Sequence, residues 1–495
     1  MSESLYEPWL RGVAFNSAAP SDVLIRLMQA AAGEAGLLMC TGRDLPDAAF
    51  DAALRHPDRR IRQALALNRH VDASRLAPLA TDPSGLVRGR LARGLHDFPR
   101  WVRPLPDDIL VTLLTAQDGG EDGKVTAADI VGELVSSRHI PESFYRSLPG
   151  REHPTLRRYA AYRWQSLNPA EREALLHDPH PEVRKAAQGS SWVLDAEAVE
   201  AKLPSMGPRN EVWVLSSCAL SPAVIEKCFA DGTMHHLVWN PHTPADAVTR
   251  LARHPEAEVR ELIAARPDLE PDLVAELLED PDENVRARVR LHPFPRTWAE
   301  CWAIRLVIGH GPDCLLPITE PAPEPGPDWF AACAVSEEPV LRRVAANSSL
   351  LSADLVEALA QDDDEEVRVR LACRHPLAPP HLLLDVFVTR PDHRPHLLTL
   401  RGFPRSGLAH LIGHPDPEVR ALAAADPALP VPPVDDPDES VCRAAAANPS
   451  LTPEALEALL ANPRTAQGAA ANPSLPASRM HALLDRCLNG ASTAR

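Results

Sequence analysis

The side chains best suited to binding or catalysis gather in the middle of the chain. Seven of the nine tryptophans, Trp164, Trp192, Trp213, Trp239, Trp298, Trp302 and Trp329, fall within residues 164–329. Large aromatics anchor protein interfaces, and they also fill cores. Aligned along a recessed surface they would cradle a peptide; dispersed, they would be packing. Carboxylates form three runs. Residues 268–283 hold eight acids and no base, including Asp280, Asp282 and Glu283. Residues 354–366 hold seven acids, including Asp362, Asp363, Asp364, Glu365 and Glu366, and Asp435, Asp436, Asp438 and Glu439 make the third run. Such strips would orient a basic protein segment and speed its docking. The plain alternative is a solvated rim that aids solubility.

Metal and nucleophile chemistry is less well supplied. His235, His236 and His242 form the densest imidazole group, but Pro241 interrupts the helix before His242. Cys228 and Asp246 stand at no clean ligand spacing from them. Nine cysteines are widely spread with no Cys-x-x-Cys, a pattern of small buried thiols in a reducing compartment. The loop at 118–124 is acidic, but it lacks the glycine at position six and glutamate at twelve of a calcium loop. No phosphate-binding Gly-x-x-x-x-Gly-Lys-Ser/Thr, Gly-x-Ser-x-Gly or His-Glu-x-x-His occurs. No catalytic residue, metal or cofactor is expected from these patterns.

The elements that position these groups follow from a repeat. An apolar anchor followed by arginine recurs at Ile61, Val87, Val183, Val259, Val285, Val367 and Val419, with steps of 26 from 61 to 87 and from 259 to 285. A proline turn precedes it, as in His56-Pro57, Asp82-Pro83, Asp178-Pro179, His254-Pro255, Asp280-Pro281 and His414-Pro415. Asp or His there can accept orphan helix amides, and proline suits a first helical turn. A second apolar residue four positions on (Leu65, Leu91, Ile263, Val289 or Leu371) completes one face of a short helix. Seven residues after the anchor, Asn68, Asn347, Asn448 or Asn472 ends the helix. Asparagine tolerates unusual backbone angles and bonds locally. Apolar residues such as Leu76 and Leu79 then mark a second short helix. Neither helix is stable alone, so the units must stack into one continuous core. The arginine after each anchor is expected to lie beside that core and pair with a turn carboxylate of its own or a neighbouring unit.

These residues resemble the leucine-rich repeat variant family, a HEAT-like α-solenoid. The match rests on Asp-Pro-x-x-x-Val-Arg-x-x-Leu/Ala and then Asn-Pro-x-Leu-x-x-x-x-Leu, seen at 280–291, 416–427 and 448–459. The resemblance implies a right-handed superhelix of alternating α and 3-10 helices, and it specifies a scaffold, not an activity. Some members carry an iron–sulphur cluster on cysteines ahead of the repeats; here Cys40 stands alone in the first 200 residues, so no four-thiolate site forms there.

The expected fold is therefore all-α, a solenoid of repeats of about 24–26 residues. Residues 1–50 are expected as a helical cap, 51–316 as an array with irregular inserts, 317–328 as a proline-rich loop or linker, and 329–495 as a second array. No apolar run reaches transmembrane length and no basic-apolar leader is read at the start, so a cytoplasmic location is expected. The function this implies is non-enzymatic: a scaffold that docks a partner or basic segment along its surface, with tryptophans as anchors and acidic turns for orientation. A net charge of −17 repels phosphate. It weighs against the alternative of a HEAT-like DNA repair glycosylase, whose best support is Arg157-Arg158-Tyr159 and Tyr162-Arg163-Trp164. A self-associating structural component is the third reading.

Overall fold

The computed structural model describes residues 5–29, 34–94, 104–116, 125–137, 140–291, 296–308 and 325–490. They form α and 3-10 helices with no strand among them, an all-helical, solenoid-like architecture as the periodicity predicts. The loop at 118–124, residues 317–324 of the proline-rich segment, and Cys314 lie outside the described residues.

One unit shows how sequence becomes packing. The turn at His254-Pro255 leads into helix Ala257–Ile263, whose buried face is Val259 and Ile263. A second helix, Pro271–Leu278, buries Leu273 and Leu277, and the turn at Asp280-Pro281 starts the next copy. Each buried aliphatic of this kind contributes roughly 1.5–3 kcal/mol, enough in sum to hold helices of seven or eight residues that would melt in isolation. Where the second element carries proline inside, as Pro78 does in Ala73–Thr81, the helix is 3-10, because proline cannot supply the i→i−4 donor. Asp58, Asp282, Asp364, Asp416 and Asp438 each accept the second-position amide of the anchor helix and fix its start.

Two side-chain ladders then join repeat to repeat. In the first, the arginines after the anchors Ile61, Val259 and Val419, joined by Arg157 after Leu156 and Arg342 after Leu341, reach forward to a turn aspartate about one repeat on: Arg62–Asp82, Arg157–Asp178, Arg260–Asp280, Arg342–Asp362 and Arg420–Asp436, at 2.6–3.0 Å. The same guanidinium turns back to the carbonyls of its own turn, as Arg260 does to His254 O and Pro255 O; Arg184, Arg286 and Arg368 bond to the carbonyls of their own turns. In the second ladder, Asn448 Nδ2 donates to Ala424 O and Asp426 O, and Asn472 Nδ2 donates to Ala446 O and Asn448 O. Asn68 and Asn240 repeat the motif. Arginine takes the same place at Arg43, Arg266 and Arg296. The backbone at Asn240 and Asn472 is extended (φ −76° and −67°). Asparagine is therefore not placed there for a left-handed turn; its amide ties off the last carbonyls of the preceding repeat.

The chain divides into two compact units, 1–141 together with 387–495, and 142–386. In the first, helix Tyr6–Phe15 packs on helix Ala466–Ala471, so residues near the two ends of the chain share one core. In the second lie all seven tryptophans of the central group. No single described helix is long and apolar enough to cross a membrane; the adjacent helices Asn210–Ser217 and Pro222–Ala230 pass together on length and composition only, bent by 117°.

Candidate functional site

The tryptophans fall into two groups with different surroundings. Trp239 ends the 3-10 helix Met234–Trp239, and Trp298 and Trp302 lie on helix Trp298–Ile308. Trp239 meets Trp298 and Trp302 at centroid distances of 6.4 and 6.3 Å. The Arg305 guanidinium sits 4.2 Å above the Trp239 ring, and Arg266 lies 5.1 Å from that of Trp298. Trp239, Arg266 and Arg305 are all buried. The gap beside them is about 10 Å³, room for a single water and no more. Trp239 is packing, with a flat cation against its ring, while Trp298 and Trp302 are half-buried at its side. Trp329 is half-buried and stands edge-on to Phe330 at 5.3 Å.

The second group opens outward. Tyr162 closes helix Pro154–Tyr162, Trp164 starts the 3-10 turn Trp164–Ser166, Trp192 lies in Ser191–Leu194 and Trp213 in Pro208–Ser217. Together with Arg163, Gln165, Gly189, Ser190 and Val193 they line a recess of about 170 Å³. Trp164 is its buried floor, at 5% exposure. Trp192 and Trp213 meet edge to face at 6.0 Å and 74°, while Tyr162 is 60% exposed at the mouth. The walls are fixed from behind. Gln165 Nε2 donates to Ser217 O at 2.8 Å, and Arg172 donates to Trp164 O and Gln165 O at 3.0 Å. Lys202 Nζ is 5.5 Å from the Trp192 ring and the Arg163 guanidinium 3.8 Å from that of Tyr145.

The acidic residues divide in the same way. Asp280 accepts Arg260 through both oxygens and the Asp282 amide, and Asp282 caps Glu283–Arg290. Asp362 accepts Arg342 in the same geometry, and Asp364 caps Glu365–Arg374 while pairing with Arg343. These four aspartates hold the scaffold together. The Arg260 guanidinium keeps the Asp280 carboxyl below its ordinary value. Glu366 pairs with Arg370 along its own helix. Glu283, Asp363 and Glu365 are exposed. The acidic runs are thus partly consumed by the scaffold, with Glu283, Asp363 and Glu365 at the surface.

The thiols are placed in packing positions, whereas His236 is half-buried and His235 and His242 are exposed. His235 and His236 lie on the 3-10 helix with rings 3.9 Å apart, and burial lowers His236 to about 4. His242 follows the break at Asn240, whose Oδ1 accepts its amide. No group of three or more His, Cys, Asp or Glu that could hold a metal ion occurs among the described residues. The eight described cysteines are buried, and burial pushes Cys40, Cys218, Cys301 and Cys333 up to about 12. Protonated, enclosed thiols are poor nucleophiles. Of the arginines beside the aromatics, Arg157 is committed to Asp178 and to two turn carbonyls. In the sequence Tyr162 stands out only within Tyr162-Arg163-Trp164, the support for the glycosylase-like alternative; its exposure at the recess is a property of the helix end.

No family model matches the chain, and no curated protein does. Among solved structures, one match is an engineered protein at 14% identity, spanning 91% of this chain and 97% of that one, with a TM-score of 0.15.

Proposed function

We propose that this chain is a non-enzymatic, cytoplasmic protein-binding scaffold of the leucine-rich repeat variant kind, and that the recess at Tyr162, Trp192 and Trp213 receives the partner. The observation that carries this reading is the contrast between the two tryptophan groups. One packs around the buried guanidinium of Arg305 with a gap of only about 10 Å³ beside it, and the other surrounds an aromatic recess of about 170 Å³ backed by hydrogen bonds from the Gln165 and Arg172 side chains to the backbone. Preformed aromatic walls lose little entropy on binding and desolvate well, which makes them binding hot spots. The exposed acids Glu283, Asp363 and Glu365 supply long-range attraction for a basic segment without contributing much contact energy. Phosphate recognition is disfavoured by the net charge of −17 and by the commitment of Arg157 within the scaffold.

The test is selection of peptides from a displayed random library on the full chain, with binding read by tryptophan fluorescence. Enriched peptides should lose at least about tenfold in affinity on Trp192→Ala or Tyr162→Ala, the size of a modest hot spot. They should keep their affinity on Trp329→Ala. Peptides that bind equally to all three variants, or a library that yields no enriched sequence, would reject the recess as the docking site. Tight, strongly salt-dependent binding of nucleic acid would favour the glycosylase-like reading instead.

A further inference from the structure

The first and last repeats meet in the unit that contains both, and they meet as neighbours inside the array do. Helix Tyr6–Phe15 packs on Ala466–Ala471 and helix Ser21–Leu27 on Ala477–Gly490. Asn16 Nδ2 donates to Ala470 O and Asn472 O at 3.0 and 2.6 Å, one more rung of the ladder that runs through Asn448 and Asn472. The following rung, Arg43, donates to Ala14 O and Asn16 O. The ladder therefore passes from residue 472 to residue 16 without a change of geometry. Trp9 Nε1 donates to Leu460 O at 2.9 Å. Arg26 pairs with Asp485 at 2.6 Å and contacts His481, which also meets Asp22 at 2.9 Å. Gly12 permits the close approach: a Cβ there would lie 2.3 Å from Gln467 O and 2.5 Å from Ala470 Cβ.

Neither side of this junction is built as an end. Terminal repeats of open arrays carry a polar outer face. Here the face of the last repeat is Ala466, Ala469 and Ala470, and that of the first is Trp9, Gly12 and Val13, with all of these buried. The two surfaces are different and complementary, which makes the contact heterologous. Whatever opens it exposes two apolar faces that fit each other, in the same chain or in another copy. The contacts are identical in the two cases, so the balance between them is set by protein concentration against the effective concentration of the chain's own other end.

We propose that this junction is an exchange interface through which the chain joins a second copy, the first repeat of one copy seating on the last repeat of the other. The proposal stands apart from the docking recess, which lies in the other unit. It is tested with full-length chains in a Cys314→Ser background, since the other eight thiols are buried. Arg26→Cys and Asp485→Cys replace partly exposed partners (29% and 59% side-chain exposure). The two single variants are mixed, opened in mild denaturant, returned to buffer at a series of concentrations and treated with a short bismaleimide. A covalent species of twice the 53.9 kDa chain should appear, and its share should rise at least about fivefold over a hundredfold rise in concentration. The double variant Arg26→Cys/Asp485→Cys should cross-link within one chain when dilute. If the double variant cross-links but the mixed singles do not at any concentration, the interface does not exchange. If the double variant fails to cross-link while remaining helical, the junction itself is wrong, and the proposal falls with it.

Discussion

Asparagine 448 offers the most direct measure of what joins one repeat to the next. Its side chain is fully buried and makes three hydrogen bonds: Nδ2 to Ala424 O and Asp426 O at 2.8 Å, and Oδ1 from the Ser450 amide at 2.9 Å. Asn448→Ala strips all three partners at once. A buried group left unpaired costs about 1–3 kcal/mol. Asp426 O keeps a second donor, the Leu429 amide at 3.0 Å, and the amide of exposed Ser450 can turn to water, so the loss falls mainly on Ala424 O and comes to about 2 kcal/mol. Asn448→Asp keeps the shape but turns a donor into a charge facing two carbonyl oxygens. At neutral pH it should cost more than the alanine, because an unpaired buried carboxylate adds its own desolvation. The loss should shrink in acid, where the protonated group can again donate. Urea unfolding by far-UV circular dichroism gives the global number. Hydrogen exchange over residues 421–429 locates it, since arrays lose cooperativity when one interface weakens. An alanine variant within about 1 kcal/mol of the parent, or an aspartate variant as stable as the alanine at pH 7, would refute the view that this ladder carries inter-repeat coupling.

Acid should attack the arginine rungs. Asp178, Asp280 and Asp436 are held below the ordinary value of 3.8 by hydrogen bonds from Arg157, Arg260 and Arg420. Their stabilisation is complete above the unfolded value and is lost as pH falls from about 4 through the lowered folded value. The urea midpoint should therefore drop over that window, and the gap between the parent and Asp280→Asn should narrow. Gly12→Leu should destabilise by about 1–3 kcal/mol through overpacking and speed hydrogen exchange in Ala466–Ala471, whereas Gly132→Ala, with nothing within 4 Å of the added carbon, should be neutral or gain up to about 1 kcal/mol. A thiol reagent should label the native protein at Cys314 at most and all nine cysteines after unfolding; rapid native labelling of Cys40 or Cys301 would contradict their burial. Glu283→Gln with Asp363→Asn and Glu365→Gln should lower the association rate of a basic peptide and flatten its salt dependence while leaving dissociation nearly unchanged.

Much of the architecture is local and could be read from the residue order. The anchor pairs Val259/Ile263 and Val285/Val289 have helical spacing, the proline turns set where each helix starts, and the second apolar pair Leu273/Leu277 marks the other helix. All three pairs are buried as that spacing requires. The pairing of the anchor arginines with turn aspartates was also legible, because only two charges of opposite sign recur with the same period. The reason for the recurring asparagine was not. Its backbone is ordinary, and its amide reaches carbonyls 22 to 26 residues back, a contact that composition and capping statistics do not contain. Asn16, near the start of the chain, fits the same pattern as a lone residue, but its partners lie 454 and 456 positions away.

The order of residues by itself determined that the chain would be short helices in stacked pairs, because periodicity and proline placement act within a few residues of each other. It also determined that the charged turns would be partly consumed by the scaffold. Only the tertiary structure decided which tryptophans line a recess and which stack on Arg266 and Arg305, and that the first repeat completes the last. Both depend on which helix faces meet across tens or hundreds of residues, and side-chain burial is set by those meetings and not by the identity of the side chain.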